Sequence, residues 1–408
     1  MSDVTTPLTT FVVKVSSRCN LNCSYCYMYN LQDETYRGQP ALMSDAVTVA
    51  FAKKAGDHAA RHGAPSIHVI LHGGEPLLMG KSRLAHWVGL VRAHCHPDVV
   101  PFFSIQSNGV MIDDDWIELL ADLEVRIGLS VDGPKALHDK YRLDHAGRGS
   151  YDRVVAAIRR LRTHPRGPEI FSSVMAVAST EVSARDLFDF WMELDVPSFD
   201  ISLPHANHDH PPAQSDLRLG NWLVEFFDCY LEANRPDLSV RYFDNMLRMF
   251  FNYPVSTDNI GGRPVDVVVV ETNGSIEPTD AFKCCENGIT QLGLNVQNDE
   301  FDAVCEIPMV KALQSGRESL CSTCKSCEAV DVCGGGYMPH RFGDGHFKNP
   351  SIYCDDLKQL ITHMRGRVID SLSTDLRVAL GIDMAEFGTP LAGSLKPAPV
   401  ITDKFAYV

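Results

Sequence analysis

The sequence predicts an α/β protein: an open barrel of six parallel βα units followed by a small cysteine-rich extension. Three observations carry this expectation. Over the first two hundred residues, short apolar runs rich in β-branched residues alternate with segments of helical period, which implies parallel βαβ units. Cysteine, glycine or polar residues recur just after those runs, where the carboxyl ends of barrel strands would gather them on one rim. Cysteines cluster twice, three within 19–26 and four within 321–333, the second group far beyond the last βα unit.

The strand candidates are FVVKV (11–15), SIHVILH (66–72), FFSIQS (102–107), VRIGLSV (125–131), IFSSVMAV (170–177) and FDISLP (199–204). Between them lie helical segments at 44–63, 82–96, 113–124, 150–164 and 183–195, each opening with Ser or Asp, the side chains that cap helix N-termini. Six strands are too few for a closed eight-stranded barrel, so an open (β/α)6 partial TIM barrel is expected over 8–206. Cys19 then follows the first strand, and Gly73, Gly74, Glu75 and Pro76 follow the second. Ser107 and Asn108 close the third, Ser130 and Asp132 end the fourth, and His205 follows the sixth. Each alone has a bland reading, since Asn108-Gly109 is a common turn pair. Together they mark a candidate active-site rim.

Composition narrows the class. The chain has 408 residues, 45% hydrophobic, enough for a large core and two domains or one with extensions. A formal charge of −15 argues against nucleic-acid binding, which needs Lys and Arg to neutralise phosphates. No apolar stretch approaches the roughly 20 residues that span a bilayer. The N-terminus lacks a basic segment followed by an apolar run, so a cytoplasmic protein is expected. Reduced thiols clustered at short spacing then point to metal or iron–sulfur ligation rather than disulfides. Cys95 and Cys229 sit alone in helical patterns and read as packing residues. Residues 207–263 read as a helical connector whose aromatic stripe is core and whose His208 and His210 are solvated. RPVDVVVVETNGSIEP (263–278) reads as a hairpin turned at Asn273-Gly274, opening an extension over 264–370. The Pro-rich remainder, 371–408, reads as a tail of unknown role.

Cys19, Cys23 and Cys26 are spaced CxxxCxxC, one thiolate short of the four that normally hold a [4Fe–4S] cluster. One iron is then open to an exogenous ligand. A zinc site completed by a histidine is the alternative, though none lies close in sequence. CxxxCxxC after the first strand of an open barrel, followed by GGEP, resembles the radical S-adenosylmethionine (SAM) enzymes. The resemblance implies that the amino and carboxylate groups of SAM chelate the open iron. Electron transfer then yields a 5′-deoxyadenosyl radical that abstracts hydrogen from a substrate. It further implies that Gly73, Gly74, Glu75 and Pro76 hold the SAM amino group. Ser107 and Asn108 lie near the ribose, and Ser130 and Arg142 contact ribose and SAM carboxylate. Tyr25 lies near the adenine. A carboxylate suits an ammonium, and Arg is a natural bidentate partner of a carboxylate.

Cys324, Cys327 and Cys333, spaced CxxCxxxxxC, with Cys354 beyond, resemble the SPASM extension of radical SAM peptide-modifying enzymes. There this pattern holds an auxiliary [4Fe–4S] cluster; a structural zinc site is the bland alternative. The family's inner auxiliary cluster uses cysteines at two positions where this chain has Thr279 and Tyr337, so one auxiliary cluster is favoured and at least one expected. Cys284, Cys285, Cys305 and Cys321 stay unassigned. Asp280 matches an aspartate that acts as general base in sulfatase-maturating members, or it is a hairpin-end turn residue.

VCGGGYMPHRFGDGHFKNPSIYC (332–354), with ETNGSIEPTDAFK (271–283), is similar to a narrower branch, the cyclophane-forming maturases of ribosomally synthesised peptides. That implies removal of a β-hydrogen from a precursor-peptide residue and a C–C bond from that carbon to an aromatic ring. A flavodoxin or ferredoxin would supply electrons. No fused leader-binding segment is expected, because the barrel starts within a dozen residues of Met1. The rival readings are sulfatase maturation, thioether formation and epimerisation within the enzymes. Outside them stand an iron–sulfur electron carrier and a zinc-stabilised binding protein.

Overall fold

A computed structural model describes residues 6–196, 198–212, 219–253, 255 and 257–373. The tail expected over 371–408 lies outside the described residues from 374 onward. The apolar runs form β1 (Thr10–Ser16), β2 (Ser66–Gly73), β3 (Val100–Ser107), β4 (Val125–Ser130), β5 (Phe171–Val177) and β6 (Ser198–Ser202). Each pairs in parallel with the next. The intervening helices cover the outer face, as short parallel crossovers require. Phe51, Trp87, Ile117, Ile158 and Trp191 are all nearly or fully buried there.

The sheet runs further than six strands. β7 (Ser239–Val240), from the stretch read as a helical connector, adds in parallel to β6. On the other side β8 (Val267–Val270) lies parallel to β1. β9 (Ser275–Glu277) and β10 (Leu294–Asn295) follow antiparallel, giving the order β10-β9-β8-β1-β2-β3-β4-β5-β6-β7. The physical reason lies in β1, whose residues are buried on both faces, so its free edge needs a partner. Val267–Val270, buried at all four positions, supplies it. The hairpin turn is at Asn273-Gly274 as expected, with the Glu271 carbonyl accepting from Gly274 N at 2.8 Å.

Three expected caps form. The side chains of Ser44, Asp113 and Ser183 accept from the backbone amides of Val47, Trp116 and Asp186. The other two do not. The second helix starts earlier, at Lys81 after Gly80, and Ser150 spends its hydroxyl on the Arg142 carbonyl at 2.7 Å instead. The aromatic stripe of 219–250 is core, with Phe226, Phe227 and Phe243 fully buried, while His208 and His210 are exposed. The C-terminal helix Cys354–Ser371 docks on the helix Leu219–Ala233, where Asp356 Oδ1 accepts from Gly220 N at 2.6 Å. No helix among the described residues is long and apolar enough to cross a membrane.

Candidate active site

The carboxyl-terminal residues of five consecutive strands, Gly73, Ser107, Ser130, Val177 and Ser202, line one cavity of about 330 Å³. The cysteine loop forms another wall, with Cys19, Cys23, Cys26, Tyr25 and Tyr27. Asp280, Ala281, Tyr337 and His340 from the C-terminal part close it. The rim expected from the sequence is therefore one continuous surface, reached by residues from both halves of the chain.

The loop is built by its own turns. Cys26 N donates to the Cys23 carbonyl at 3.0 Å, and Asn30 N donates to the Cys26 carbonyl at 2.8 Å. Asn22 N and Ser24 N donate to the carbonyls of Leu143 and Tyr141, which brings the loop onto the segment carrying Arg142. Behind it, Gly74 N donates to the Ser16 carbonyl and Glu75 N to the Arg18 carbonyl, both at 2.9 Å. A Cβ on Gly73 would stand 1.9 Å from Ser16 O, and one on Gly74 2.1 Å from the Tyr29 hydroxyl. These glycines thus let the GGEP turn and the cysteine loop pack backbone to backbone.

Glu75 is 1% exposed and braces the rim. Its carboxylate accepts from Leu77 N at 3.0 Å, Ser107 Oγ at 2.9 Å and Asn108 N at 2.8 Å. The last two of these bonds tie the GGEP turn to the end of β3. Burial pushes its carboxyl up against these donors. Asn108 Nδ2 also reaches Asn20 Oδ1 at 2.7 Å and Cys19 Sγ at 3.8 Å. Ser130 Oγ accepts from Gln106 Nε2 at 2.9 Å.

Tyr25, Asp132 and Arg142 form one buried set. Tyr25 donates to Asp132 Oδ2 at 2.5 Å and accepts from Arg142 Nη1 at 2.8 Å. Arg142 is 8% exposed, and its Nε is buried without a hydrogen-bond partner. A guanidinium on the cavity wall with an unspent donor fits an incoming carboxylate.

Three thiols gathered on one cavity wall are donors of the kind that hold an iron–sulfur cluster. Burial, then the charge of Glu75, pushes the Cys19 thiol up to about 12, and burial pushes Cys26 up to about 11. The thiols of Cys19, Cys23 and Cys26 feel one another's charge. The thiols of Cys324, Cys327, Cys333 and Cys354 likewise feel one another's charge. Cys321 joins this second set beside Cys324. Cys305 is buried in the main core, and Cys284 and Cys285 sit in a small apolar cluster with sulfurs 4.0 Å apart.

Thr279 and Tyr337, the two positions where the resemblance would put inner-cluster thiolates, meet each other through a hydrogen bond. Asp280, beside Thr279, faces the cavity but is not free. Its Oδ2 lies 2.8 Å from Lys14 Nζ and accepts from the Tyr27 hydroxyl at 2.9 Å. Burial works to raise its carboxyl, but Lys14 and His72 outweigh it and hold Asp280 well below the usual range.

Sequence reasoning missed the network behind Asp280. Lys14 is fully buried and also lies 3.6 Å from Glu271. Lys283 lies 3.0 Å from Glu271 and 2.9 Å from Glu277, with Asp33 at 3.8 Å. The signal was visible: a lysine inside the apolar run FVVKV has no bland reading in a buried strand. Glu271 lies between two ammoniums, and although burial opposes its ionisation, they hold its carboxyl low. Glu277 also has Lys283 at contact distance, but burial and the charge of Glu271 outweigh it and push the carboxyl up to about 7. A raised folded pKa makes Glu277 bind a proton the unfolded chain has released. Its contribution is full below 4.5 and is lost as pH rises to about 7. Glu277→Gln should therefore gain stability over the parent across that window, read as a widening gap between urea midpoints. A constant gap would contradict this.

A model of the Radical SAM superfamily matches residues 13–210, the stretch that forms the barrel. The cofactors of such a domain are SAM and a [4Fe–4S] cluster, and the cysteine-rich C-terminal part fits an auxiliary cluster. A cysteine-type anaerobic sulfatase-maturating enzyme of Clostridium novyi is 24% identical over 86% of this chain and 93% of its own. A serine-type anaerobic sulfatase-maturating enzyme of Bacteroides thetaiotaomicron is 24% identical over 88% of this chain and 89% of its own. Among solved structures, anSMEcpe with bound AdoMet and Cp18Cys peptide aligns with TM-score 0.75 at 23% identity, covering 88% of this chain and 98% of that one. Streptococcus suis SuiB aligns with TM-score 0.56 at 17% identity, covering 84% and 76%. These likenesses establish the fold over both halves.

Proposed function

We propose that the protein is a radical SAM peptide maturase that removes a β-hydrogen from a precursor-peptide residue and closes a C–C crosslink to an aromatic side chain, a cyclophane. The observation that carries the reading is that the open three-cysteine set and Asp280 face one cavity. The relatives support the substrate class, since their names describe sulfatase maturation, an act on a protein. SuiB is likewise recorded bound to a precursor peptide.

When bound, SAM and its cluster supply the carbon radical that takes a hydrogen atom. Cys19, Cys23 and Cys26 would hold that cluster. Arg142, whose Nε is unspent, would take the SAM carboxylate. Ser107, Asn108 and Ser130 would line the ribose side, and Tyr25, fixed by Asp132 and Arg142, would shield the adenine. Cys324, Cys327, Cys333 and Cys354 hold the auxiliary cluster, with Thr279 and Tyr337 leaving the inner one unbuilt. Asp280 receives the proton released as the ring regains aromaticity. That proton is strongly acidic, so a carboxylate kept ionised by Lys14 suffices. The partners are a ribosomally synthesised precursor peptide and an electron donor of flavodoxin or ferredoxin type.

Anaerobic co-expression with small peptides encoded beside its gene tests this. Loss of two hydrogens, mapped by fragmentation between an aromatic residue and a near neighbour, is the expected product. The likeness to sulfatase-maturating enzymes favours a second reading, formylglycine formation, which would place the change at a Cys or Ser instead. Thioether formation would show as a cysteine crosslink. Epimerisation would leave the mass unchanged.

A further inference from the structure

Arg341 is a buried cation without a counter-ion. It ends the short turn Met338–Arg341 and is 6% exposed. Among the described residues no carboxylate is among the charges that act on it, and its Nε is buried with no hydrogen-bond partner. The guanidinium packs on the glycine turn after Cys333, where a Cβ on Gly335 would come within 3.4 Å of Nη1. The charges that act on it most are the thiols of Cys324, Cys333 and Cys321. A buried cation is strongly disfavoured unless an anion lies beside it, and arginine cannot shed its proton. No carboxylate of the described residues supplies that anion here. Four thiolates around an iron–sulfur core would, since the assembly is net negative in both oxidation states and gains one more charge on reduction.

We propose that Arg341 is the counter-ion of the auxiliary cluster, a positioning residue that favours its reduced form and so raises its reduction potential. The inference rests on the auxiliary-cluster reading above. The step concerned is uptake of a single electron by the cluster: no bond forms or breaks, and the arginine keeps its proton. Hydrogen bonds and nearby charge are among the levers that set such potentials. A cation close to the cluster therefore equips it to accept the electron left when the crosslink closes.

The test uses the full chain with Cys19, Cys23 and Cys26 replaced by alanine, so that only the second set carries iron. Anaerobic redox titration is followed by electron paramagnetic resonance. Arg341→Met should lower the reduced-to-oxidised ratio at a fixed potential about tenfold, about 59 mV for a one-electron couple. Arg341→Lys should keep most of the parent value. Should the methionine variant not load iron, Arg341→Gln is read the same way. An unchanged midpoint in the neutral variants overturns the inference while leaving the cluster in place. Iron loss in the lysine variant with no shift in midpoint marks a merely structural arginine and overturns it too. Absence of iron from the triple-alanine parent overturns both this inference and the cluster reading beneath it.

Discussion

Replacing Cys23 by alanine should empty the first cluster site and reduce SAM cleavage to the uncatalysed background, a loss of at least about 10⁶-fold. The expectation follows from the donor count. Three thiolates already leave one iron without a protein ligand, so two cannot hold the core. Among the described residues, Cys19 and Cys26 are the only other thiols on that cavity wall. The second cysteine set is built from separate elements, the helices Ser322–Lys325 and Val330–Cys333 and the start of Cys354–Ser371. Its iron should stay. The purified variant is thus expected to keep part of its colour and iron while forming no 5′-deoxyadenosine. Retained SAM cleavage would remove the basis for placing the chemistry at this loop.

Lys14→Met should cost about 3–5 kcal/mol of stability, because it leaves the buried Asp280 without its lysine and Glu271 with only Lys283. Lys14 is fully buried and lies between Asp280 at 2.8 Å and Glu271 at 3.6 Å. Methionine matches its stem but not its charge, so the loss is electrostatic rather than a cavity. Pairing it with Asp280→Asn should return part of the loss, since one of the stranded charges is then gone. Urea unfolding of the single and double variants measures the coupling. Additive losses would show that Lys14 and Asp280 do not act as a pair. Lys14→Met should also release Asp280 from its depressed pKa, so any activity remaining should fall at low pH where the parent's does not.

The barrel was legible because its signals are local. Apolar runs, helix periods and the rim residues Cys19, Gly73, Ser107 and Ser130 each announce themselves within a few positions. The edges were not. β7 and β8 join β6 and β1 across long stretches of chain, and two- or four-residue strands carry no period of their own. Pairing partners are set by which edge stays open after the core has formed. The site divides the same way. Cysteine spacing pointed to both clusters, whereas the Lys14–Glu271–Lys283–Glu277 network joins residues more than 250 positions apart. The bonds that Leu77, Ser107 and Asn108 give the Glu75 carboxylate were likewise hidden in the sequence, and only the fold reveals them.

The central claim is that a hydrogen atom leaves a peptide β-carbon at the cavity shared by the cysteine loop and Asp280. A precursor peptide deuterated at the β-carbon of the modified residue tests it most directly, with isotope content measured in the 5′-deoxyadenosine formed. The account predicts one deuterium per turnover in that product. 5′-Deoxyadenosine formed without deuterium, or labelled only from an α-deuterated peptide, would contradict it.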